Sequence, residues 1–291
     1  MNSVPSFSAR VLVGITTRNR AHILAKAIRS ALDQTYPLVA VAVLDDGSTD
    51  ATPELRAQFP QVHWQRNKSP QGIIEARNHL MRSTPAEFFV SLDDDAWFLG
   101  RDEIALAVAA MDADARLGAV AFDIASPDQP TERARGAARE VAMFIGCGHL
   151  LRMSAVRDAG FYAPTPGRYG SEEKDLSLRL ADLGYRIDLL PGVHVWHDKA
   201  WTGRDWFPLH RSGVCNELFM TMRRCPWPDL AFVLPLKIVS FGWFWLRRPQ
   251  FLSPGIAGLC DAILALPKAE ISRGPVRRAT FWKMSAGRRV T

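Results

Sequence analysis

The sequence predicts an α/β protein built on a doubly wound, mainly parallel sheet. Short apolar runs alternate with segments whose apolar residues recur at helical spacing, which is typical of parallel strands joined by helices. Two of the apolar runs end in groups of carboxylates, and the strand ends of open α/β sheets are where ligands bind. With 291 residues, 47% of them hydrophobic and 23% charged, the chain has the composition of a globular protein.

The predicted elements follow one another without an internal repeat. The expected strands are 11–16, 39–44, 62–65, 88–92, 118–123 and 187–196, and the expected helices are 21–34, 52–58, 72–83 and 104–113. A segment rich in proline, arginine and glycine at 125–140 is expected to be irregular. A dinucleotide-binding domain would carry G-x-G-x-x-G after the first strand. Thr-Thr-Arg-Asn-Arg stands there instead, at 16–20, which disfavours NAD.

The second predicted strand runs directly into Asp-Asp-Gly-Ser-Thr-Asp at 45–50. Asp45 and Asp46 therefore lie at the end of a strand that is apolar on both faces, where they must meet hydrogen-bond donors or positive charge. The alternative is an Asx-type turn in which Ser48 or Asp50 caps the following helix. A second acidic strand end, further along the chain, favours a ligand site.

That second strand end carries three consecutive carboxylates, Asp93, Asp94 and Asp95. Carboxylates this crowded repel one another unless a cation neutralises them. Clusters of oxygen ligands suit Mg²⁺ and Mn²⁺, which bind one or two carboxylates together with substrate phosphates. The sequence therefore predicts a divalent cation, with a solvated acidic loop as the alternative.

Several motifs in order resemble those of the family 2 glycosyltransferases, inverting enzymes that use nucleotide sugars. The motifs are 11–20, 45–50, Gly72 with Ala-Arg-Asn at 76–78, Leu-Asp-Asp-Asp at 92–95, Gly-Ser-Glu-Glu-Lys-Asp at 170–175, and Val-Trp-His at 195–197. Each motif is weak alone, but their order over residues 10 to 200 makes the likeness specific. The resemblance implies the GT-A fold, a Rossmann-like variant of the predicted sheet.

The resemblance also implies a site for the nucleotide of the donor. Asp46 is expected to accept from the N3–H of a uracil or thymine, and Arg18 is expected to lie over the base. Thr16, Asp45 and Arg77 are carried over as further nucleotide-binding residues. UDP or dTDP is therefore the expected nucleotide of the sugar donor.

In the metal site that the resemblance implies, Asp95 matches the last acid of the D-x-D motif and is the expected ligand of Mg²⁺ or Mn²⁺. Asp93 or Asp94 is expected to reach the ribose or a metal-bound water. His197 completes the metal shell as a neutral imidazole, and His194, three residues earlier, is the competing candidate.

The catalytic base implied by the resemblance is Glu173, the second acid of the Glu172–Glu173 pair. A carboxylate at a helix N-terminus is held in its charged form, which a general base requires. The alternative is that both acids merely complement the helix dipole. Other expected contacts are Lys199, Arg204 and Arg211 with the diphosphate, and the glycine-rich turn at 146–149 with the acceptor.

A catalytic domain is expected over 8–225, followed by a helical extension over 226–291 that is first aromatic and then basic. From 247 on, nine Lys or Arg residues stand against Asp261 and Glu270. Trp243 and Trp245, followed by Arg247 and its neighbour, are typical of an anchor on an anionic cytoplasmic membrane face. An ordinary core helix with a solvated basic tail is the alternative. Without a nucleic-acid-binding motif, basicity does not indicate DNA or RNA as a partner.

Together these features predict an inverting, metal-assisted glycosyltransferase that moves a sugar from a nucleoside diphosphate to a glycan or a lipid-linked acceptor. A sugar nucleotidyltransferase and a catalytically silent nucleotide-sugar binding protein are the alternatives. Four scattered cysteines without a C-x-x-C pair, and a start without an apolar signal segment, predict a cytoplasmic protein, attached or not to the membrane surface.

Overall fold

The computed structural model describes residues 9–129, 136–199 and 205–287. These residues pack as two compact units, of which the first comprises 9–161 and 183–199 and the second comprises 162–182 and 205–287. Helix Glu172–Asp182 thus packs with the C-terminal helices. The catalytic domain predicted at 8–225 is defined by function, whereas the two units are defined by packing. Its boundary stays a prediction.

The first unit contains nine strands and four α-helices among its described residues. The strands are β1 Val11–Thr17, β2 Val39–Asp45, β3 His63–Arg66, β4 Phe88–Asp93, β5 Ala96–Phe98, β6 Leu117–Ala125, β7 Arg139–Glu140, β8 Gly148–Arg152 and β9 Arg186–His197. The helices are α1 Ala21–Leu32, α2 Ile73–Ser83, α3 Glu103–Ala113 and α4 Met153–Ala159, with a 3₁₀ helix at Thr52–Ala57.

All nine strands belong to one sheet in the order β3-β2-β1-β4-β8-β6-β9-β5, with β7 paired to β9. The ladders β3-β2, β2-β1, β1-β4 and β6-β9 are parallel. β8 lies antiparallel between β4 and β6, and β5 lies antiparallel to β9. The predicted α/β sheet is confirmed, with antiparallel ladders in the half that contains β8 and β5.

The core of the first unit explains why its strands are nearly continuous in apolar residues. β1 is buried over its whole length, and β4 is buried from Phe88 to Leu92. A strand covered on both faces has no position where a polar side chain would reach water. α1 covers the sheet with Leu24, Ala27, Ile28 and Ala31, which recur at helical spacing.

Among its described residues, the regular secondary structure of the second unit is entirely helical. Its helices are α5 Glu172–Asp182, α6 Trp206–Arg224, α7 Leu230–Arg247, α8 Leu252–Leu264, α9 Leu266–Ile271 and α10 Arg278–Ala286, with a 3₁₀ turn at Pro249–Phe251. α6 packs against α7, α8 and α9, while α10 packs against α5. The predicted helical C-terminal extension is confirmed.

Ion pairs inside the second unit fix α5 to α6. Asp175 accepts a hydrogen bond from Arg224 at 2.6 Å and pairs with Arg179 at 2.7 Å. Glu217 of α6 binds Lys174 at 2.6 Å and also binds Lys237 of α7. Burial would raise the pKa of Glu217, but the charges of the two lysines hold it below its ordinary value.

Candidate active site

The carboxyl ends of three neighbouring parallel strands bring the predicted acids to one edge of the sheet. Thr17 pairs with Asp45 in the β1-β2 ladder, and Thr16 pairs with Asp93 in the β1-β4 ladder. The two acidic motifs, separated by 48 residues in the sequence, therefore flank β1. This edge is where open α/β sheets bind ligands.

Asp93, Asp95 and His197 form a cluster whose ligand atoms all lie within 4.8 Å of one another. His197 reaches the cluster because β5 pairs with β9 and sets Ala96 opposite His197. Its Nε2 lies 3.2 Å from Oδ1 of Asp95, which is buried. His194 lies elsewhere, with its Nδ1 3.3 Å from Asp123. Of the two candidate histidines, His197 is the one in the cluster.

Two arginines lie beside this cluster. Nη2 of Arg20 is 3.7 Å from Asp95, and Nη2 of Arg77 donates to Asp93 at 2.6 Å. Arg77 is buried and also donates to the backbone carbonyl of Gly146 at 3.2 Å. Arg77 therefore lies at the acidic strand end, in contact with Asp93, which was predicted to reach the ribose or a metal-bound water.

Asp94 points to a different neighbour from the other two acids. Its Oδ2 accepts a hydrogen bond from the hydroxyl of Thr17 at 2.8 Å. Burial raises the pKa of Asp94 to about 7 against this hydrogen bond, and the charge of Asp95 adds to the rise. Burial thus favours the neutral form of Asp94 more than that of an ordinary aspartate.

The cluster has the chemistry of a site for a hard divalent cation. Two carboxylates and one imidazole are ligands that Mg²⁺ and Mn²⁺ accept. Within the part of the chain that the structure describes, Nδ1 of His197 is buried without a hydrogen-bond partner, and Nε2 faces Asp95. The residues fit the predicted metal, which Asp95 and His197 would hold, with the carboxylate of Asp93 beside them.

The other acidic pair holds the loops that surround it. Asp46 accepts three hydrogen bonds of 2.8 Å, from the side chain of Asn67 and from the backbone N–H groups of Gln71 and Gly72. Asp45 accepts from the backbone of Ser48 at 2.8 Å, and Arg66 lies 3.1 Å from its other oxygen. Asp46 thereby fixes the entry to α2, and its assignment to the nucleotide base stays a prediction.

We expect Asp46→Ala to lower the free energy of unfolding by about 3 kcal/mol, because hydrogen bonds to a charged group contribute roughly 1.5–3 kcal/mol each and are not additive. Urea denaturation monitored by circular dichroism measures this change. Asp33→Ala removes an exposed aspartate of the same unit and should change stability little. If the Asp46→Ala variant is as stable as the wild type but no longer binds nucleotide, the carboxylate of Asp46 contacts the nucleotide instead of fixing the loops.

The loop after β1 carries the remaining nucleotide-binding candidates. Thr16 is buried at the end of β1, and Arg18 is exposed. Asn19, with a positive φ of 56°, ties this loop to the next one, because its side-chain oxygen accepts from the backbone N–H of Thr49 at 2.8 Å. The two loops therefore form one connected rim, on which Arg18 remains available to a ligand.

Glu172 and Glu173 open helix α5 in the second unit. Glu172 is buried, and among the described residues its Oε2 has no hydrogen-bond partner. Glu173 is more exposed. The structure thus places both acids in the first turn of a helix, as the sequence predicted, and the choice of Glu173 as the base stays a prediction.

The other candidates have structural partners or lie outside the description. Arg211 makes two hydrogen bonds with Asp261, of 2.6 and 2.8 Å, and Arg204 lies outside the described residues. His149, in the glycine-rich turn, is fully buried and stacked on Phe144 with ring centroids 4.2 Å apart. Burial lowers the pKa of His149 to about 3, helped by the charge of Arg77. His149 is therefore a neutral core residue.

Sequence reasoning gave no role to two residues that contact the acidic cluster. Thr17 donates to Asp94, and Arg20 approaches Asp95 from the N-cap position of α1. Both lie in the opening motif at 11–20, so the motif located them. Their roles depend on contacts with residues more than 70 positions away, which local sequence cannot specify.

A family model described as "Glycosyl transferase family 2" matches residues 12–146, the segment that carries β1, β2, β4 and the acidic strand ends. Residues 12–146 form a family 2 glycosyltransferase domain. The predicted resemblance is confirmed, and the metal cluster lies at the carboxyl ends of this domain's strands. His197 joins the cluster from beyond the matched segment.

Two bacterial relatives match part of this chain. "Glycosyltransferase GlyA" of Streptococcus pneumoniae is 26% identical over 91 residues, 30% of this chain and 13% of that protein. "Succinoglycan biosynthesis protein ExoO" of Rhizobium meliloti is 36% identical over 86 residues, 28% of this chain and 24% of that protein. The matched segments span less than a quarter of either relative.

Solved structures extend the likeness in fold beyond the matched domain. "Mannosyltransferase PcManGT from Pyrobaculum calidifontis in complex with GDP-Man and Mn2+" aligns over 97% of this chain and 84% of its own, with a TM-score of 0.59 and 19% identity. S. aureus TarS 1-349 in complex with UDP-GlcNAc aligns over 91% of this chain and 84% of its own, with a TM-score of 0.63 and 16% identity. The predicted GT-A fold is confirmed.

Proposed function

We propose that the chain is an inverting glycosyltransferase. It transfers a sugar from a nucleoside diphosphate, UDP or dTDP, to a hydroxyl group of a glycan or a lipid-linked acceptor, with Mg²⁺ or Mn²⁺ as cofactor. The observation that carries this proposal is the cluster of Asp93, Asp95 and His197 at the carboxyl ends of the family 2 domain. Structural relatives named as complexes with GDP-Man and Mn²⁺ or with UDP-GlcNAc support it.

In this proposal, the residues of the first unit bind the donor. Arg18 stacks on the base from its exposed loop, and Thr16, Asp45 and Asp46 form the wall beside the nucleoside. Arg77 and Asp93 contribute to the ribose and diphosphate side, where they already contact each other. Asp95 and His197 would hold the divalent cation, which would supply Lewis-acid stabilisation of negative charge at the diphosphate.

Glu173 supplies the base for the acceptor. Its carboxylate takes the proton of the acceptor hydroxyl while the hydroxyl oxygen attacks C1 of the donor sugar. The new C1–O bond forms as the bond from C1 to the phosphate oxygen breaks, and the nucleoside diphosphate leaves with the electron pair. Because attack and departure occur on opposite faces of C1, a single displacement inverts the anomeric configuration.

A nucleotidyltransferase is the competing enzyme class, since it also binds a nucleotide at the carboxyl ends of an α/β sheet. A nucleotidyltransferase would carry a glycine-rich loop with Arg or Lys after the first strand. Residues 16–20 are Thr-Thr-Arg-Asn-Arg, which contain no glycine. The matched family favours sugar transfer. We further infer a cytoplasmic location, which agrees with four free cysteines.

Release of nucleoside diphosphate from a panel of UDP-, dTDP- and GDP-sugars tests the proposal. We expect Mn²⁺-dependent release from UDP- or dTDP-sugars, and no release in the presence of EDTA. Proton NMR of the first sugar released to water should show the anomer opposite to that of the donor. Formation of a nucleotide sugar from nucleoside triphosphate and sugar phosphate would establish the competing class. Donor binding without turnover of any acceptor would establish a silent binding protein.

A further inference from the structure

Helix α7 exposes an apolar stripe along one face. Its outward residues have exposed fractions of 55 to 77% and follow one another at intervals of four and three positions. They are Phe232, Leu236, Val239, Trp243 and Leu246. This spacing keeps them on one side of an α-helix over its whole length. A stripe of large apolar side chains this long on a soluble surface indicates a contact site.

The opposite face of α7 holds the helix on its own unit. Leu230 and Trp245 are buried, and Leu234, Phe241 and Phe244 pack against the buried clusters beneath. Lys237, the only charged residue between Leu230 and Leu246, also turns inward and binds Glu217 of α6. The outward face of α7 therefore presents no charge from Leu230 to Leu246.

Helix α8 widens this surface. Its inner residues Gly255 and Gly258 lie so close to Trp245 and to the backbone of Arg211 that a Cβ atom would not fit. Its outer face exposes another apolar row, consisting of Leu252, Ile256, Ile263 and Leu264. Because α7 and α8 both pack on α6, their exposed faces point away from the same helix.

Positive charge lies at the end of this surface. Arg247 and Arg248 are exposed, and the Arg247 guanidinium lies 4.3 Å from the centroid of the Trp243 ring. From 230 to 260 the sequence contains three basic residues and no acidic one. Tryptophan beside arginine is the combination found at the headgroup level of membranes, and arginines there are attracted to anionic lipids.

We propose that the exposed faces of α7 and α8 form a docking surface for an anionic lipid membrane. The helices lie in the headgroup region with their apolar faces down, and Arg247 and Arg248 bind lipid phosphates. Among the described residues, α7 is the one helix long and apolar enough to cross a membrane by length and composition. The Lys237–Glu217 pair and the buried side chains of Leu230 and Trp245 instead hold α7 on its own unit, so that it lies parallel to the membrane surface.

A second copy of the chain fits this surface less well than a membrane. The spacing of the α7 stripe also suits a helix pair. In a parallel pair the arginines of both copies would lie together, and in an antiparallel pair they would lie against the far end of the stripe, with no acid between 230 and 260 to neutralise them in either arrangement. An anionic membrane complements the same charges. Membrane docking by α7 and α8 does not depend on the transfer reaction proposed above.

Flotation with vesicles of phosphatidylcholine, alone or mixed with phosphatidylglycerol, tests the proposal on the full chain. We expect binding to the anionic vesicles at low salt, weakened in ~1 M salt, where the Debye length is about 3 Å. Leu236→Glu with Val239→Glu should reduce partitioning at least tenfold, because burial of each side chain is lost. Arg247→Gln with Arg248→Gln should reduce it by about fivefold for each cation.

Leu106→Glu is the matched control, because Leu106 is an exposed leucine of α3 in the first unit and should bind vesicles like the wild type. Nucleoside diphosphate release without vesicles should be equal in all these variants, which separates docking from transfer. The proposal is overturned if the full chain does not float or if neither double variant weakens flotation. It is equally overturned if light scattering shows a dimer that Leu236→Glu with Val239→Glu converts to monomers.

Discussion

Replacement of Asp95 by alanine is expected to abolish the effect of Mn²⁺ on donor binding. Asp95 is buried, and its carboxylate lies 3.2 Å from Nε2 of His197 and 3.7 Å from Nη2 of Arg20. It is therefore the central carboxylate of the candidate metal site. Loss of a ligand that provides several kcal/mol of charge stabilisation corresponds to a fall of roughly 100-fold or more in metal-dependent affinity. Calorimetric titration of UDP and dTDP, with and without Mn²⁺, measures it.

The control for this experiment is Asp33→Ala, which removes an exposed carboxylate of the same unit and should leave the Mn²⁺ effect intact. Circular dichroism must show that the Asp95→Ala variant is folded, because the substitution also removes the ion pair between Asp95 and Arg20. Equal nucleotide affinity in wild type and variant, with no response to Mn²⁺ in either, would mean that the acidic cluster does not bind a metal.

Local sequence predicted the first half of the sheet well, because each strand carries its own signal. Apolar runs located β1, β2 and β4 to within one residue at each end, and carboxylates mark the ends of β2 and β4. The segment at 52–58 was expected to be an ordinary helix but forms a 3₁₀ helix at Thr52–Ala57, which begins with a proline at its second position. Short segments of this kind lack the length that stabilises an α-helix.

The second half of the sheet depends on pairings between distant residues. The sequence predicted a glycine-rich turn at 146–149 but no strand after it, and β8 lies there, antiparallel between β4 and β6. No local pattern shows that a strand at 148–152 will separate two strands that are earlier in the chain. The parallel prediction therefore holds for β3, β2, β1 and β4, and is incomplete beyond them.

The choice between His194 and His197 shows the same limit. Residues three positions apart in a strand point to opposite faces, so one of the two histidines had to lie away from the acids. Pairing of β9 with β6 sets His194 opposite Asp123, while pairing of β9 with β5 sets His197 opposite Ala96. The resemblance favoured His197, and only the sheet pairing brings it to Asp95.

Replacement of Glu173 by glutamine is expected to lower the rate of sugar transfer by about 10² to 10⁴, the range typical of a lost general base. Glutamine keeps the shape of the side chain but cannot take the proton of the acceptor hydroxyl. Donor affinity should hardly change, because this side chain serves the acceptor. Steady-state kinetics with a donor identified by the release assay, together with calorimetry of the nucleotide, separates the two effects.

Glu172→Gln is the decisive comparison, because Glu172 lies one residue earlier and has a buried carboxylate oxygen without a partner among the described residues. Glu173→Asp, which keeps a carboxylate, should retain much more of the rate than Glu173→Gln. Glu270→Gln, at an exposed site of the same unit, should have no effect. If Glu172→Gln lowers the transfer rate more than Glu173→Gln does, the base is Glu172. The match of residues 170–175 to the family motif is then shifted by one residue. If both variants transfer sugar at the wild-type rate, neither Glu172 nor Glu173 is the catalytic base.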